Sequence, residues 1–538
     1  MTPQWKTLPR LRGSRKNYKV NQQPPSSPRP AISPGLRRYL YFTAAATGAA
    51  IMVVEILGAK MLSPFIGLSH FVWTAQIAVT LVALACGYYA GGRRADRSQK
   101  LTGLYWAVLG AAGCLALTVL ICEPVAYWCL DFNLAVGSLL ASSVLFFLPL
   151  ALLAMTVPFL IRVLTSSVAG VGGNVGRLIS ISTLGSFAGT LSIGYVMVPL
   201  LPNSVTMYLT ALALLLVSAG YWIFFRSQLA GPLLLILAGV SFMGCLLYQA
   251  RVREFKSVTE LFHGNSPFGQ LQVVDRINGV CRYYVNDNLV QNTYDPETRQ
   301  SESTFTYMLS GLARAYTTNI NDVLCIGLGV GIVPMDFSRQ GARVDVVEIN
   351  SAVVPVATRY FGLETNKLHL TIDDGRHYLN RCRKEYDVVI LDAFLGDSCP
   401  SHLLTREAFA SIHRVLRPSG TLVINAFASF DEGRDFFAAS LSRTLKSVFP
   451  GVRIHANGRG EIFIAATARP EPAFVHPPDF SDVHPDARSD TDASFARVIE
   501  IPANHGRVLT DDYNPVEFYD ARNREKIRRQ LALDAKQM

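Results

Sequence analysis

Val323–Gly331 reads VLCIGLGVG: four apolar residues, then three glycines at alternate positions. A short buried strand running into a glycine-rich turn lets a doubly wound α/β sheet bring backbone close to a ligand and start a helix beside it. The residues that follow repeat the theme. Apolar strands are predicted near 323–327, 343–349, 368–372, 387–391 and 421–426, with helical stretches between them and later strands near 452–455 and 461–465. This alternation predicts a Rossmann-like, mostly parallel sheet with its ligand over the strand ends.

Carboxylates stand where such a ligand would meet them. Glu348 closes the second strand, 17 residues beyond Gly331, and can accept two hydrogen bonds from ribose hydroxyls. Asp373 and Asp374 close the third strand, placed for an adenine amino group, and Asp392 follows the fourth in DVVILDAFLGDSCPSHLLT (387–405). With Gly327, Gly329 and Gly331 these acids make a nucleoside site of the S-adenosylmethionine type. The dinucleotide fingerprint is not met, because Ile332 stands where its last glycine belongs. Asp374 reads equally well as a helix cap. Asp397, five residues after Asp392, reads equally as a turn carboxylate before Pro400.

Ahead of the sheet, FGQLQVVDRINGVCRYYVNDNLVQ (268–291) alternates around Asn278-Gly279, which predicts a hairpin in a small antiparallel module. Ahead of that the chain changes character. Apolar runs of spanning length follow one another at roughly 39–58, 71–92, 102–122, 138–161, 178–200, 205–225 and 231–249, each long enough to cross about 30 Å of hydrocarbon as a helix. Glu55 is the one acid deep in a run, read first as a packing group and second as a substrate or proton site; Gly185 and Gly189 form a GxxxG packing step.

The 538-residue chain therefore divides into a disordered basic tail (1–38), a transmembrane domain of six to eight helices (39–250), a β-rich module (251–320) and a nucleoside-binding domain (321–538). The formal charge of +10 follows this division. The tail holds nine Lys/Arg and no acid, whereas residues 251–538 hold 33 basic and 36 acidic residues. An excess beside apolar segments argues for a membrane lipid surface as partner and against nucleic acid. Nine scattered cysteines with no CxxC pair imply no metal site and fit a reducing compartment.

The basic stretch Arg93–Lys100, with Arg162, Arg177 and Arg226, falls inside when the amino end is inside. Seven crossings would then put residues 251–538 outside, against Arg251, Arg253 and Lys256. Weighing those three, the sequence places the α/β half in the cytoplasm.

Residues 268–425 resemble the spermidine synthase family of polyamine aminopropyltransferases, through the hairpin with Gln291, then GLGVG, VVEIN, IDDGR, YDVVILDAF and LLT; VLTDDYNPVE (508–517) is similar to the end of its membrane-fused relatives. VEILGAKMLSPFIGLSHFVW (54–73), GYYAGGRRADR (87–97) and GRLISISTLGSFAGT (176–190) resemble the membrane half of bacterial proteins that carry such a domain. The resemblance implies a bacterial inner-membrane enzyme that moves an aminopropyl group from decarboxylated S-adenosylmethionine to an amine such as putrescine, without a metal. It is compatible with a homodimer. It assigns Gln291 and Asp392 to the donor tail, and Asp392 with Asp397 to orienting and deprotonating the amine.

Three family positions depart from the pattern. Val330 replaces an Asp, Met308-Leu309 follow Tyr307 where the family has His-Glu, and Leu395 replaces the second catalytic Asp. These losses leave open a methyltransferase using S-adenosylmethionine on a lipophilic substrate, and a transporter with a nucleoside-sensing domain. His377 and His402 read as solvated or capping residues.

Overall fold

The computed structural model describes residues 32–67, 70–165, 171–226, 258–277, 281–287, 289–394, 399–431, 433–501 and 505–520, with isolated positions at 233, 239, 244, 523 and 529. Within them the order is as the sequence predicts: a helical region, an antiparallel β module and a doubly wound α/β sheet.

Among the described residues six helices are long and apolar enough to cross a membrane: α1 (Pro34–Ile66), α2 (His70–Arg97), α3 (Leu101–Cys129), α4 (Leu134–Leu164), α5 (Val171–Leu200) and α6 (Asn203–Arg226). They cover the first six apolar runs; the seventh, 231–249, lies almost wholly outside the described residues. Small residues let helices this apolar bring their backbones together. A Cβ on Gly185 would come within 2.1 Å of the Ala45 carbonyl oxygen, and one on Gly189 within 2.5 Å of that of Ala49. The GxxxG step thus seats α5 on α1. Glu55 is half-buried on α1.

The helix ends fall into two sets. One set meets the rest of the protein. Lys60 Nζ donates to the Pro267 carbonyl at 3.3 Å, and Ser63 Oγ donates to Asp287 Oδ2 at 3.2 Å. The His70 ring at the start of α2 stacks on Phe518 at 6.2 Å between centroids. Asn203, at the start of α6, donates to the Lys60 carbonyl at 3.5 Å. The other set lies at the far side, where Asp96 of α2 pairs with Arg162 of α4 at 3.3 Å and Tyr39 of α1 meets Phe225 of α6 at 5.3 Å.

The β module runs β1 (Val258–Ser266), β2 (Gly269–Arg276), β3 (Arg282–Asn286), β4 (Leu289–Asp295) and β5 (Gln300–Ser301), each antiparallel to the next. β2 and β3 form the predicted hairpin, with Asp275 opposite Arg282; its turn, 278–280, lies outside the described residues. β1 was not foreseen from the alternation of 268–291.

The large sheet comprises β6 (Asp322–Ile326), β7 (Arg343–Glu348), β8 (His369–Ile372), β9 (Tyr386–Leu391), β10 (Leu416–Phe427), β11 (Gly451–Ala456), β12 (Glu461–Thr467) and β13 (Val498–Ile499), in the order β13-β11-β12-β10-β9-β6-β7-β8. β6 to β10 are parallel, and β11, β12 and β13 are antiparallel to their neighbours. Val323, Leu324, Cys325 and Ile326 are at most 1% exposed, covered on both faces. Burying each of the three aliphatic side chains contributes about 1.5–3 kcal/mol.

β6 lies between β7 and β9, so the strand order reverses there and a crevice opens over the carboxyl ends. The opposite end of the sheet is closed by charge. Asp322 takes Arg343 at 2.7 Å and Arg417 at 2.9 Å, and Asp387 takes Arg417 at 2.7 Å.

Candidate active site

A cavity of about 460 Å³ lies over the ends of β6, β7, β9 and β10, with β3 and β4 of the β module as its far wall. Gly327 opens the glycine loop at φ 99°, a conformation that side chains resist. A Cβ there would lie 2.2 Å from the Asp392 carbonyl oxygen, so only glycine lets the β6 and β9 loops cross. Gly329 lines the cavity, while Gly331 turns the loop at φ 87° against Leu363.

Glu348, the last residue of β7, lines the cavity and uses both oxygens on backbone: Oε2 accepts from Leu328 N–H at 2.9 Å and Oε1 from Asn350 N–H at 2.7 Å. Burial raises its pKa, and these N–H groups oppose the rise. Asp373 also lines the cavity and pairs with His377 Nδ1 at 2.8 Å, which holds its carboxyl below the usual range. Asp374 caps the helix Gly375–Arg381, accepting from Arg376 N–H at 2.9 Å and His377 N–H at 3.0 Å, and pairs with His402 at 3.0 Å. It is both a cap and a lining residue. Gln291 on β4 faces the same cavity.

Asp392 follows β9. Its N–H donates to the Ile326 carbonyl at 3.0 Å, and its Oδ1 accepts from Asn425 Nδ2 at 3.1 Å. Burial pushes its carboxyl up to about 6, against the opposing bond from Asn425. Asp397 and Leu395 lie outside the described residues. Apart from Asp397 and the loop-turning Gly331, the residues expected at the site line one cavity.

Four groups in the cavity were not expected. Glu461, the first residue of β12, accepts from Asn457 Nδ2 at 2.9 Å. Burial and the neighbouring Asp392 push its carboxyl up to about 8, opposed by Asn425 and Asn457. The Asn425 Oδ1, Asn292 Nδ2 and Asn286 Oδ1 atoms are buried in cavity-lining residues and have no hydrogen-bond partner. Buried polar atoms are rarely left so, and a bound polar ligand would satisfy them. The signal for Glu461 was a lone acid opening an apolar strand. Its place at the site follows only from β12 being antiparallel to β10, which sets Glu461 opposite Phe427 at the cavity end.

The family positions that depart from the pattern also find a place. Met308 and Leu309 are wholly buried, Val330 is 1% exposed, and all three belong to the core. Tyr307 donates to the Ser301 carbonyl at 2.6 Å and accepts from His484 N–H at 3.2 Å. Asp511 lies beside the site, accepting from Thr405 Oγ1 at 2.6 Å and Arg376 at 2.8 Å.

Residues 302–456 match the family model of the spermine/spermidine synthase domain. That stretch, β6 through β11, is thus similar to a spermidine synthase domain. A polyamine aminopropyltransferase of Vibrio vulnificus is 36% identical over 113 residues, 20% of this chain and 38% of its own. An N-terminal histidine N-methyltransferase of Emericella nidulans is 33% identical over 140 residues, 25% of this chain and 24% of its own. The chain thus spans well under two thirds of the length of these curated relatives. The crystal structure of spermidine synthase from Thermotoga maritima aligns at 18% identity with a TM-score of 0.36, over 45% of this chain and 84% of that one.

Proposed function

We propose that the chain is a membrane-bound aminopropyltransferase of the spermidine-synthase type, acting on a primary amine such as putrescine. The observation that carries this reading is the acceptor-rich end of the cavity: Asp392, Glu461 and the unpartnered Asn425 Oδ1 together suit an ammonium group. Decarboxylated S-adenosylmethionine would seat its nucleoside against Gly327, Gly329, Glu348 and the Asp373–Asp374 pair, with Gln291 along its tail. No step calls on a metal.

An amine of pKa near 10 arrives protonated and cannot attack until it loses that proton. In the proposed step a charged Asp392 holds the ammonium while ionised Glu461 removes one proton. The freed nitrogen attacks the carbon beside the sulfonium. The C–N bond forms, the C–S bond breaks, and its electron pair leaves sulfur as a neutral thioether. Glu461 thus takes the base role that the sequence reading shares between Asp392 and Asp397. Asp397 keeps the helping role that the resemblance implies.

The methyltransferase match supports a second reading, in which the same nucleoside site takes the carboxylated donor. Calorimetry on the purified full chain separates the two. Tighter binding of the decarboxylated donor, with aminopropyl transfer to putrescine that falls in Asp392→Asn, supports the first. Tighter binding of S-adenosylmethionine, with no aminopropyl product, overturns it. The helical region would hold the enzyme in a bacterial cell membrane.

A further inference from the structure

The two sets of helix ends differ in charge as well as in what they touch. Arg37 and Arg38 open α1, Arg94 and Arg97 close α2, and Lys100 precedes α3. Arg162, Arg177 and Arg226 sit toward the same ends of α4, α5 and α6. Contacts tie these ends into one face: Asp96 with Arg162 at 3.3 Å, Tyr39 with Phe225 at 5.3 Å, and Thr43 with Tyr105 at 3.0 Å. Asp96 is the lone acid among the described residues of these ends.

The opposite ends carry Lys60, Glu123 and Asp131 instead. They too form one face, through Phe65 with Tyr127 at 5.3 Å and Asn203 with the Lys60 carbonyl at 3.5 Å. This second face bonds the β module at Pro267 and Asp287 and stacks on Phe518. The arginine face and the α/β half therefore lie at opposite ends of the helices.

Lys and Arg are retained on the cytoplasmic side of membrane helices. We infer that the α/β half faces the non-cytoplasmic side of the membrane, with the basic tail and the arginine-bearing ends in the cytoplasm. This reverses the cytoplasmic placement that the sequence reading drew from Arg251, Arg253 and Lys256, which lie outside the described residues. α6 ends at Arg226 on the arginine face and β1 begins at Val258 on the other, so the chain changes face between them. The apolar run 231–249 falls in that interval, and the count of crossings becomes odd.

The cysteines accommodate this side. Cys281, Cys325, Cys382 and Cys399 are buried and without disulfides, so an oxidising compartment meets no exposed thiol among them. The orientation also adds a step to the proposed reaction. A sulfonium nucleoside made in the cytoplasm must be carried across the membrane, by a carrier or by this bundle, before it reaches the cavity.

The test reads sidedness and needs no activity. Glu385→Cys and Glu297→Cys report from exposed positions on the α/β side, Ser98→Cys reports from the arginine face, and the unmutated chain sets the background. A membrane-impermeant maleimide is applied to intact bacterial spheroplasts and then to lysed ones. The expected result is labelling of Glu385→Cys and Glu297→Cys at least tenfold above background before lysis, and of Ser98→Cys only after it. Any other pattern overturns the orientation and leaves the proposed reaction to its own assay.

Discussion

Asn425 donates to Asp392 at 3.1 Å while its own carbonyl oxygen has no partner, on the strand that pairs with the one Glu461 opens. One amide thus stands between two carboxyls whose burial favours the protonated form, Asp392 to about 6 and Glu461 to about 8. At neutral pH the first is mostly charged and the second mostly neutral. An ordinary surface carboxylate is too weak a base for an ammonium, and Glu461 is a stronger one.

The rate should report Glu461 directly. We expect kcat for aminopropyl transfer to rise with pH through about 8. Glu461→Gln should lower it by about 10²- to 10⁴-fold, the usual range for a general base, and remove that limb. A limb that survives the substitution would assign the base elsewhere.

Stability should move the other way. Both carboxyls hold their protons more tightly folded than unfolded, so their contribution is full below the ordinary carboxylate range and is lost as pH rises through about 6 and about 8. Thermal unfolding of the full chain from pH 5 to 9 should show this decline. Glu461→Gln should flatten its upper part.

Gly327→Ala tests the crossing of the two loops. A methyl group 2.2 Å from the Asp392 carbonyl oxygen must displace one loop, and a φ of 99° strains any side chain. Nucleoside binding should fall below detection by calorimetry while the helical half keeps its circular-dichroism signal.

Asp322 tests the far end of the sheet. Its hydrogen bonds from Arg343 and Arg417 hold its carboxyl near 2, so its stabilisation is present above the ordinary carboxylate range and is lost as pH falls through about 2. Asp322→Ala should cost about 1–3 kcal/mol at pH 7, the penalty for unmaking buried hydrogen bonds. Nucleoside affinity should be unchanged, which urea unfolding and calorimetry on one preparation can check.

The sheet was legible because buried parallel strands leave a coarse trace. VLCI, VDVVE and DVVIL are short, apolar and β-branched, and each appears as a strand within a residue or two of its expected ends. Glu348, Asp373 and Asp392 were legible for the same reason, since parallel strands bring their carboxyl ends to one side. Glu461 was not, because a mostly parallel reading sends the start of a late strand to the far end of the sheet. Met308, Leu309 and Val330 looked like losses from the pocket, yet their side chains belong to the core. The inferred sidedness rests on an observation of another kind. The sequence already sets Arg93–Lys100, Arg162, Arg177 and Arg226 on one side; that the α/β half meets the opposite helix ends is a property of the packing.

The junction at Lys60 and Ser63 carries one more consequence. Pro267 and Asp287, which they hold, are the chain neighbours of Phe268 and Asn286 on the cavity wall. Asp287 also takes the Gln270 N–H at 2.8 Å and sits at φ 47°, a left-handed conformation that Asp adopts more readily than most side chains. The wall is therefore anchored in α1, and in a bilayer a hydrophobic mismatch that tilted α1 would pull on it. Ligand affinity is then expected to change with lipid thickness, which titration in bilayers of two acyl lengths would read. A fragment cut free at residue 258 would lose that dependence, along with the anchor that shapes its pocket.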